Sequence, residues 1–168
     1  MSFLANPNLG ESLSGWRPLN NNTAVTLHQE NDPALARTTT SYTYARTTQA
    51  GGSIAIDFPW PSIGGFNYIG STQNNDEFQV TVGPWVPESI TVIAWTRVRP
   101  EAPNFNAQLS LWGLGAAPQP HEYVNFVATQ EWQMITISVG NNQQRTQRVE
   151  FYLNTTGSDL LIDSVNCF

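Results

Sequence analysis

Ile90 to Val98, ITVIAWTRV, constrains the fold more than any other stretch of the chain. Ile90, Val92, Ala94 and Val98 fall on one parity, and Thr91, Ile93, Trp95 and Arg97 on the other. That period of two belongs to a strand with one buried face. Just upstream, Phe78, Val80 and Val82 alternate with Gln79 and Thr81. Gly83-Pro84 and Pro87 break the chain between the runs, because glycine tolerates turn dihedrals and proline cannot donate to a ladder. The whole reads as strand, tight connection, strand. The outward parity of the second run carries an indole and, with Arg99, two guanidinium groups.

The same alternation returns along the chain. Ile54, Ile56 and Phe58 share a parity, as do Ala107, Leu109 and Leu111 against Gln108, Ser110 and Trp112. Ile135, Ile137 and Val139 follow, then Val149, Phe151 and Leu153 against Glu150, Tyr152 and Asn154. Val25 to Leu27 and Tyr123 to Val127 are candidate short strands, and LLIDSV closes the chain. Residues 59–76 read as a long loop carrying Trp60, Phe66 and Tyr68. The echo of Ala36-Arg37-Thr38-Thr39 in Ala45-Arg46-Thr47-Thr48 reads as chance or as two paired strands. No segment shows 3.6-residue apolar spacing with caps. Short strands separated by Gly, Pro, Asn and Asp predict an all-β fold, a two-sheet antiparallel β-sandwich of the jelly-roll kind, with residues 1–168 as one domain.

Charge narrows the function. The net charge is −6 and all seven basic residues are arginine, so the chain lacks the basic stripe that nucleic acid or an anionic membrane surface requires. No apolar run is long enough for a membrane span. Met1-Ser2-Phe3 leads almost directly into turn residues without a signal peptide, which suits a cytoplasmic protein or a segment separated from its leader. Cys167 is the single cysteine and reports no redox compartment. His28 and His121 lie far apart, without zinc-ligand spacing, and read as loop residues. There is no nucleophile elbow, P-loop or dinucleotide fingerprint. Thirteen carboxylates leave a glycosidase-like pair open.

The order of motifs resembles a known family. NPNLGESLSGW, then FQVTV with ITVIAWTRVR, then AQLSLWGLG, EWQMITISV, RVEFYL and LLIDSV are similar to the succession in the jelly-roll carbohydrate-binding modules of families 4, 9 and 22, which are galactose-binding-domain-like. The resemblance spans Asn6 to Val165 and is weakest from Trp16 to Phe58. It implies a secreted, lectin-like module that binds oligosaccharide or polysaccharide without catalysis, sometimes appended to an enzyme. No cofactor is required, although the family often carries a structural calcium joining the N-terminal segment to a C-terminal Asp-Asp-Val. Here Gly10 stands where the family's glutamate would fall, Glu11 follows it, and the C-terminal pair is Asp163-Ser164. Glu11 and Asp163 are therefore the metal-ligand candidates, with one carboxylate fewer than the family pattern.

Sugar recognition agrees with the outward positions. A pyranose offers C–H groups to an aromatic face, while its hydroxyls need planar donors and acceptors. Gln79, Trp95, Arg97, Gln108, Trp112, Glu150 and Tyr152 are the expected ligand-binding set, with Trp95, Arg97 and Trp112 acting together on one ligand. Trp16 and Trp132 are expected in the core; Trp60, Trp85, Tyr68, Tyr42 and Tyr44 are left open between site and packing. Two other readings compete: a small jelly-roll lyase or glycosidase, and an adhesion or toxin-targeting domain that binds protein.

Overall fold

A computed structural model describes residues 4, 8, 10–19, 24–49, 51–60, 66–71, 77–82, 87–115, 118–140 and 146–168, with backbone alone for 66–71 and 77–82. Two five-stranded antiparallel sheets face one another. The front sheet runs β1 (Arg17–Pro18), β4 (Gly52–Pro59), β11 (Thr146–Leu153), β8 (Phe105–Leu114), β9 (His121–Ala128). The back sheet runs β10 (Gln133–Gly140), β7 (Ser89–Val98), β12 (Asp159–Cys167), β3 (Ser41–Thr47), β2 (Val25–Asn31). A separate hairpin joins β5 (Phe66–Ser71) to β6 (Glu77–Val82). The all-β two-sheet sandwich is as expected from the sequence. Among the described residues no helix is long and apolar enough to cross a membrane.

Alternation decides what is buried. Leu109 and Leu111 of β8, Val149 and Phe151 of β11 and Ile54 and Ile56 of β4 meet Ile90, Val92 and Ala94 of β7 and Leu160, Ile162 and Val165 of β12 in one core. Each of these side chains larger than alanine contributes about 1.5–3 kcal/mol when removed from water. Trp16 closes the core at 6% exposure, tilted against Phe151 with ring centroids 6.1 Å apart. Gly15 makes this seating possible: its φ is +80°, and a Cβ there would meet Ile56 Cδ1 at 3.1 Å.

Several local expectations are corrected. The strands read at Phe78 to Val82 and Ile90 to Val98 are present as β6 and β7, in different sheets: β6 pairs with β5, while β7 lies between β10 and β12. The long loop expected over 59–76 therefore contains a strand. Trp132 is outside the core cluster and only half-buried. It precedes β10 on the outward parity of Met134, across from Arg97, so its ring lies over the outside of the back sheet. His121 opens β9 and His28 lies within β2, so neither is a loop residue. The ARTT echo is no strand pair: 36–39 precede β3, whereas Ala45–Thr47 lie in it.

Candidate functional site

Register builds the outer face of the front sheet row by row. Asp57, Arg148, Trp112 and His121 lie side by side across β4, β11, β8 and β9. The next row on the same face is Ala55, Glu150, Ser110 and Tyr123; the one after it is Ser53, Tyr152, Gln108 and Asn125. Each residue has the parity opposite to a core neighbour, so all project away from the core.

The aromatic groups form a continuous series. The Trp112 and His121 rings are stacked with centroids 3.6 Å apart and planes 6° from parallel, and Tyr123 follows at 5.3 Å. Trp112, Leu114, Arg148, Glu150 and Tyr152, with Leu19 and Gln119, line a pocket of roughly 170 Å³. Glu150 lies within the sheet surface at 4% exposure. Burial, then the nearby Glu150 charge and hydrogen bond, push the Tyr152 phenol above its ordinary range, so it remains a neutral hydroxyl.

The polar side chains are held in place. Arg148 donates from Nε and Nη2 to the two oxygens of Asp57, at 2.6 and 3.0 Å. Arg17 adds a third contact to that carboxylate at 2.9 Å. The Arg148 hydrogen bond in particular holds Asp57 below the usual carboxylate range despite its partial burial. Gln108 donates to Asn125 Oδ1 and accepts from Ser110 Oγ, both at 3.0 Å. Such an arrangement offers a ring face together with oriented amide, guanidinium and carboxylate groups, the requirements of a polyhydroxylated ligand.

The structure thus brings Gln108, Trp112, Glu150 and Tyr152 together and separates them from Trp95 and Arg97. The latter two project from β7, on the outside of the back sheet, because β7 and β8 belong to different sheets. Trp95 is not an open platform either: the Arg37 guanidinium lies 3.7 Å over its ring. Arg97 donates from Nε to the Val98 carbonyl and sits 5.8 Å from the Trp132 ring. The single site expected for Trp95, Arg97 and Trp112 is therefore two places on opposite faces. The Gln79 side chain lies outside the described residues, as do Trp85 and the Tyr68 side chain. Trp60 packs against the core. His121, Tyr123 and Asn125 were not anticipated. The alternation of HEYVNFVA, with Val124 and Phe126 packed on the core, was their available signal.

The metal candidates do not converge. Asp163 sits where β12 takes one extra residue between Ile162 and Val165, a β-bulge. Its buried carboxylate accepts from Thr38 Oγ1 at 3.0 Å and faces Arg37 Nη1 at 3.4 Å. Glu11 is exposed and meets Asn8 Nδ2 at 3.4 Å. Gly10 donates its N–H to the Asp163 carbonyl, and a Cβ on it would meet that oxygen at 3.0 Å and the Ser41 carbonyl at 3.2 Å. No side chain is accommodated there without displacement, which explains a glycine in place of glutamate. Calcium takes six to eight oxygens, and among the described residues no group of three acidic, histidine or cysteine side chains is placed to hold a metal.

A larger cavity, roughly 380 Å³, opens at one end of the sandwich beside Arg46, Arg99 and Asp159. Its arginines are already committed. Arg46 Nε and Arg99 Nε reach Asp159 at 2.8 and 2.9 Å, and Arg99 also donates to Tyr42 and Glu30. Among the described residues no aromatic ring lines it. This cavity is larger than the one beside Trp112, but the aromatic ring is on the front face.

No protein-family model and no curated protein matches the sequence. Solved structures do match in three dimensions. TmCBM61, described in complex with beta-1,4-galactotriose, superposes with TM-score 0.61 at 14% identity, covering 100% of this chain and 98% of that one. The two-sheet sandwich fold is shared with this carbohydrate-binding module. The CBM22-1–GH10 part of the Clostridium thermocellum xylanase 10B, complexed with xylohexaose, gives TM-score 0.68 at 10% identity, covering 100% of this chain and 28% of the longer one. The enzymatically active domain of bacteriophage CBA120 tailspike protein 4 also matches, with TM-score 0.63 at 11% identity over 99% of this chain and 21% of that one. The resemblance to family 22 read from the sequence is thus present in the structure.

Proposed function

We propose that this protein is a non-catalytic module that binds an oligosaccharide or polysaccharide on the outer face of its front sheet. One observation carries the reading: Trp112 forms a wall of a pocket whose other lining includes Arg148, Glu150 and Tyr152. An indole supplies the C–H-stacking face, and the polar groups beside it supply fixed hydrogen bonds. Solved neighbours described with galactotriose and xylohexaose support the substrate class. An extracellular location follows from that role, because structural polysaccharides lie outside the cell.

Glu150 and Asp57 are the carboxylates in the rows of this face. Asp57 is engaged by two arginines, which leaves Glu150 without a second free carboxylate beside it in those rows. Paired carboxyl chemistry needs two. The tailspike neighbour, described as an enzymatically active domain, keeps an enzymatic reading in view. A glycan array, followed by a reducing-end assay on the positive glycans, tests both. Binding without release of reducing ends is expected. Release abolished by Glu150→Gln would move the protein to the enzymes, and an array with no positive glycan would overturn the module reading.

A further inference from the structure

Trp112 has two ring faces, and they meet different things. On the β11 side lies the pocket with Arg148, Glu150 and Tyr152. On the β9 side lies His121, directly opposite in register, with its ring at 3.6 Å and 6° from parallel. Tyr123, 5.3 Å from the imidazole, closes the series. The indole is thus gripped from behind by a histidine. Trp112 Nε1 and His121 Nε2 are both buried without a hydrogen-bond partner among the described residues.

A neutral imidazole tolerates this position, since its bare nitrogen loses only a hydrogen bond to water. An imidazolium gains a cation–π attraction to the Trp112 ring, but both its nitrogens then carry protons, and a desolvated N–H without an acceptor costs more than that attraction returns. The surrounding charges offer little relief. Glu122, next along β9, is the acidic neighbour, and its charge favours protonation. Across Trp112 lies cationic Arg148, its charge offset by Asp57, which Arg17 also holds. Tyr123 presents a ring. Burial outweighs Glu122 and shifts the imidazole below its ordinary pKa.

We propose that His121 is the positioning residue of the Trp112 platform: its neutral ring holds the indole against a stacked sugar, and its protonation releases the indole and weakens glycan binding. The inference rests on the carbohydrate-binding reading and adds to it a dependence on pH. Loss of the stack frees Trp112 to take other rotamers, so the sugar must then restrain a side chain that the protein no longer restrains.

Calorimetric titration of the best array glycan between pH 7.5 and pH 4.5 tests this, with folding checked by circular dichroism at each pH. Wild-type affinity is expected to fall by about tenfold over that range. His121→Phe keeps an aromatic ring behind Trp112 but cannot titrate. Whatever its affinity at pH 7.5, it should lose most of the pH dependence, whereas His121→Ala should bind more weakly than wild type at pH 7.5. A wild-type affinity flat with pH, or a His121→Phe variant that keeps the full decline, overturns the proposal.

A ligand-free measurement separates this failure from failure of the carbohydrate reading. Tryptophan fluorescence of the free protein should show an acid transition that disappears in both His121→Phe and Trp112→Phe. If no glycan binds at any pH, the module reading falls while this transition still reports the stack. If the transition is absent or survives in His121→Phe, the release of Trp112 by His121 is disproved whatever the ligand.

Discussion

Trp95 and Trp112 project from opposite outer faces of the sandwich, the first from β7 of the back sheet and the second from β8 of the front sheet. The full core lies between them. No single small glycan can stack on both, and only Trp112 lines the pocket.

Substitution at these two positions should therefore give different outcomes. Trp112→Ala is expected to weaken glycan binding by more than about tenfold, the loss of a stacking contact worth roughly 1.5 kcal/mol. Trp95→Ala should leave affinity near wild type and lower thermal stability, because it removes the surface on which Arg37 rests at 3.7 Å. Isothermal titration of both folded variants decides. Loss of binding in Trp95→Ala alone would place the ligand on the back sheet.

The fold was legible because burial is written in parity. β7, β8 and β11 each bury alternate residues, and Ile90, Leu109 and Phe151 could be assigned inward from sequence alone. Partnership between strands was not legible. A strand such as Ser89–Val98 carries no local mark of whether its neighbour is β6, β8 or β10, since any antiparallel partner meets the same backbone groups. Gln108, Trp112, Glu150 and Tyr152 could be assigned outward from parity alone, but that Trp95 and Arg97 face away from them required sheet membership. Trp132 illustrates a further limit: a large aromatic ring reads as core, yet at the edge strand β10 it covers the outside of a sheet.

Arg37 places a cation beside the buried carboxylate of Asp163. Its guanidinium faces Asp163 at 3.4 Å and lies over Trp95, while Thr38 bonds the same carboxylate. The melting temperature is expected to be unchanged by a chelator or by added calcium. Arg37→Ala should lower it by several degrees, because a buried carboxylate loses its counter-charge and Trp95 its cation–π contact. Differential scanning calorimetry with and without chelator checks this. A fall in melting temperature on chelation would restore a metal to the Glu11–Asp163 region.

Trp16 and Trp132 should differ in cost. Trp16 is buried against Phe151 in the core, so Trp16→Ala is expected to destabilise by ~3–5 kcal/mol. Trp132 is half-buried outside the core cluster, and its truncation should cost well below that range. Urea denaturation of both variants measures the difference. Equal losses would mean that Trp132 has packing that its position outside the core does not provide.

Asp159 ties β12 to two arginines and makes stability depend on acid. Burial works to raise its pKa, but hydrogen bonds from Arg46 and Arg99 outweigh burial and hold it below the ordinary carboxylate value. Glu30, bonded by Tyr42 and Arg99, is held low as well, and the Tyr42 phenol is pushed up to about 12 by burial and then by its bond to Glu30. A carboxyl group with a depressed folded-state pKa binds protons more tightly in the unfolded chain. Its contribution is then complete above the unfolded value, near 3.9 for aspartate, and is lost as pH falls through the folded value. Asp159→Asn removes the charge while keeping the shape. At pH 7 it should destabilise toward the low end of the ~3–5 kcal/mol cost of breaking a buried ion pair, since Arg46 is half exposed. At pH 2 to 3 the gap between variant and wild type should narrow, because the unfolded wild-type chain then gains a proton at Asp159 that the folded state resists. Chemical denaturation at both pH values reads the gap directly, and a difference that stayed constant with pH would show that the Arg46–Asp159–Arg99 cluster stabilises by packing alone.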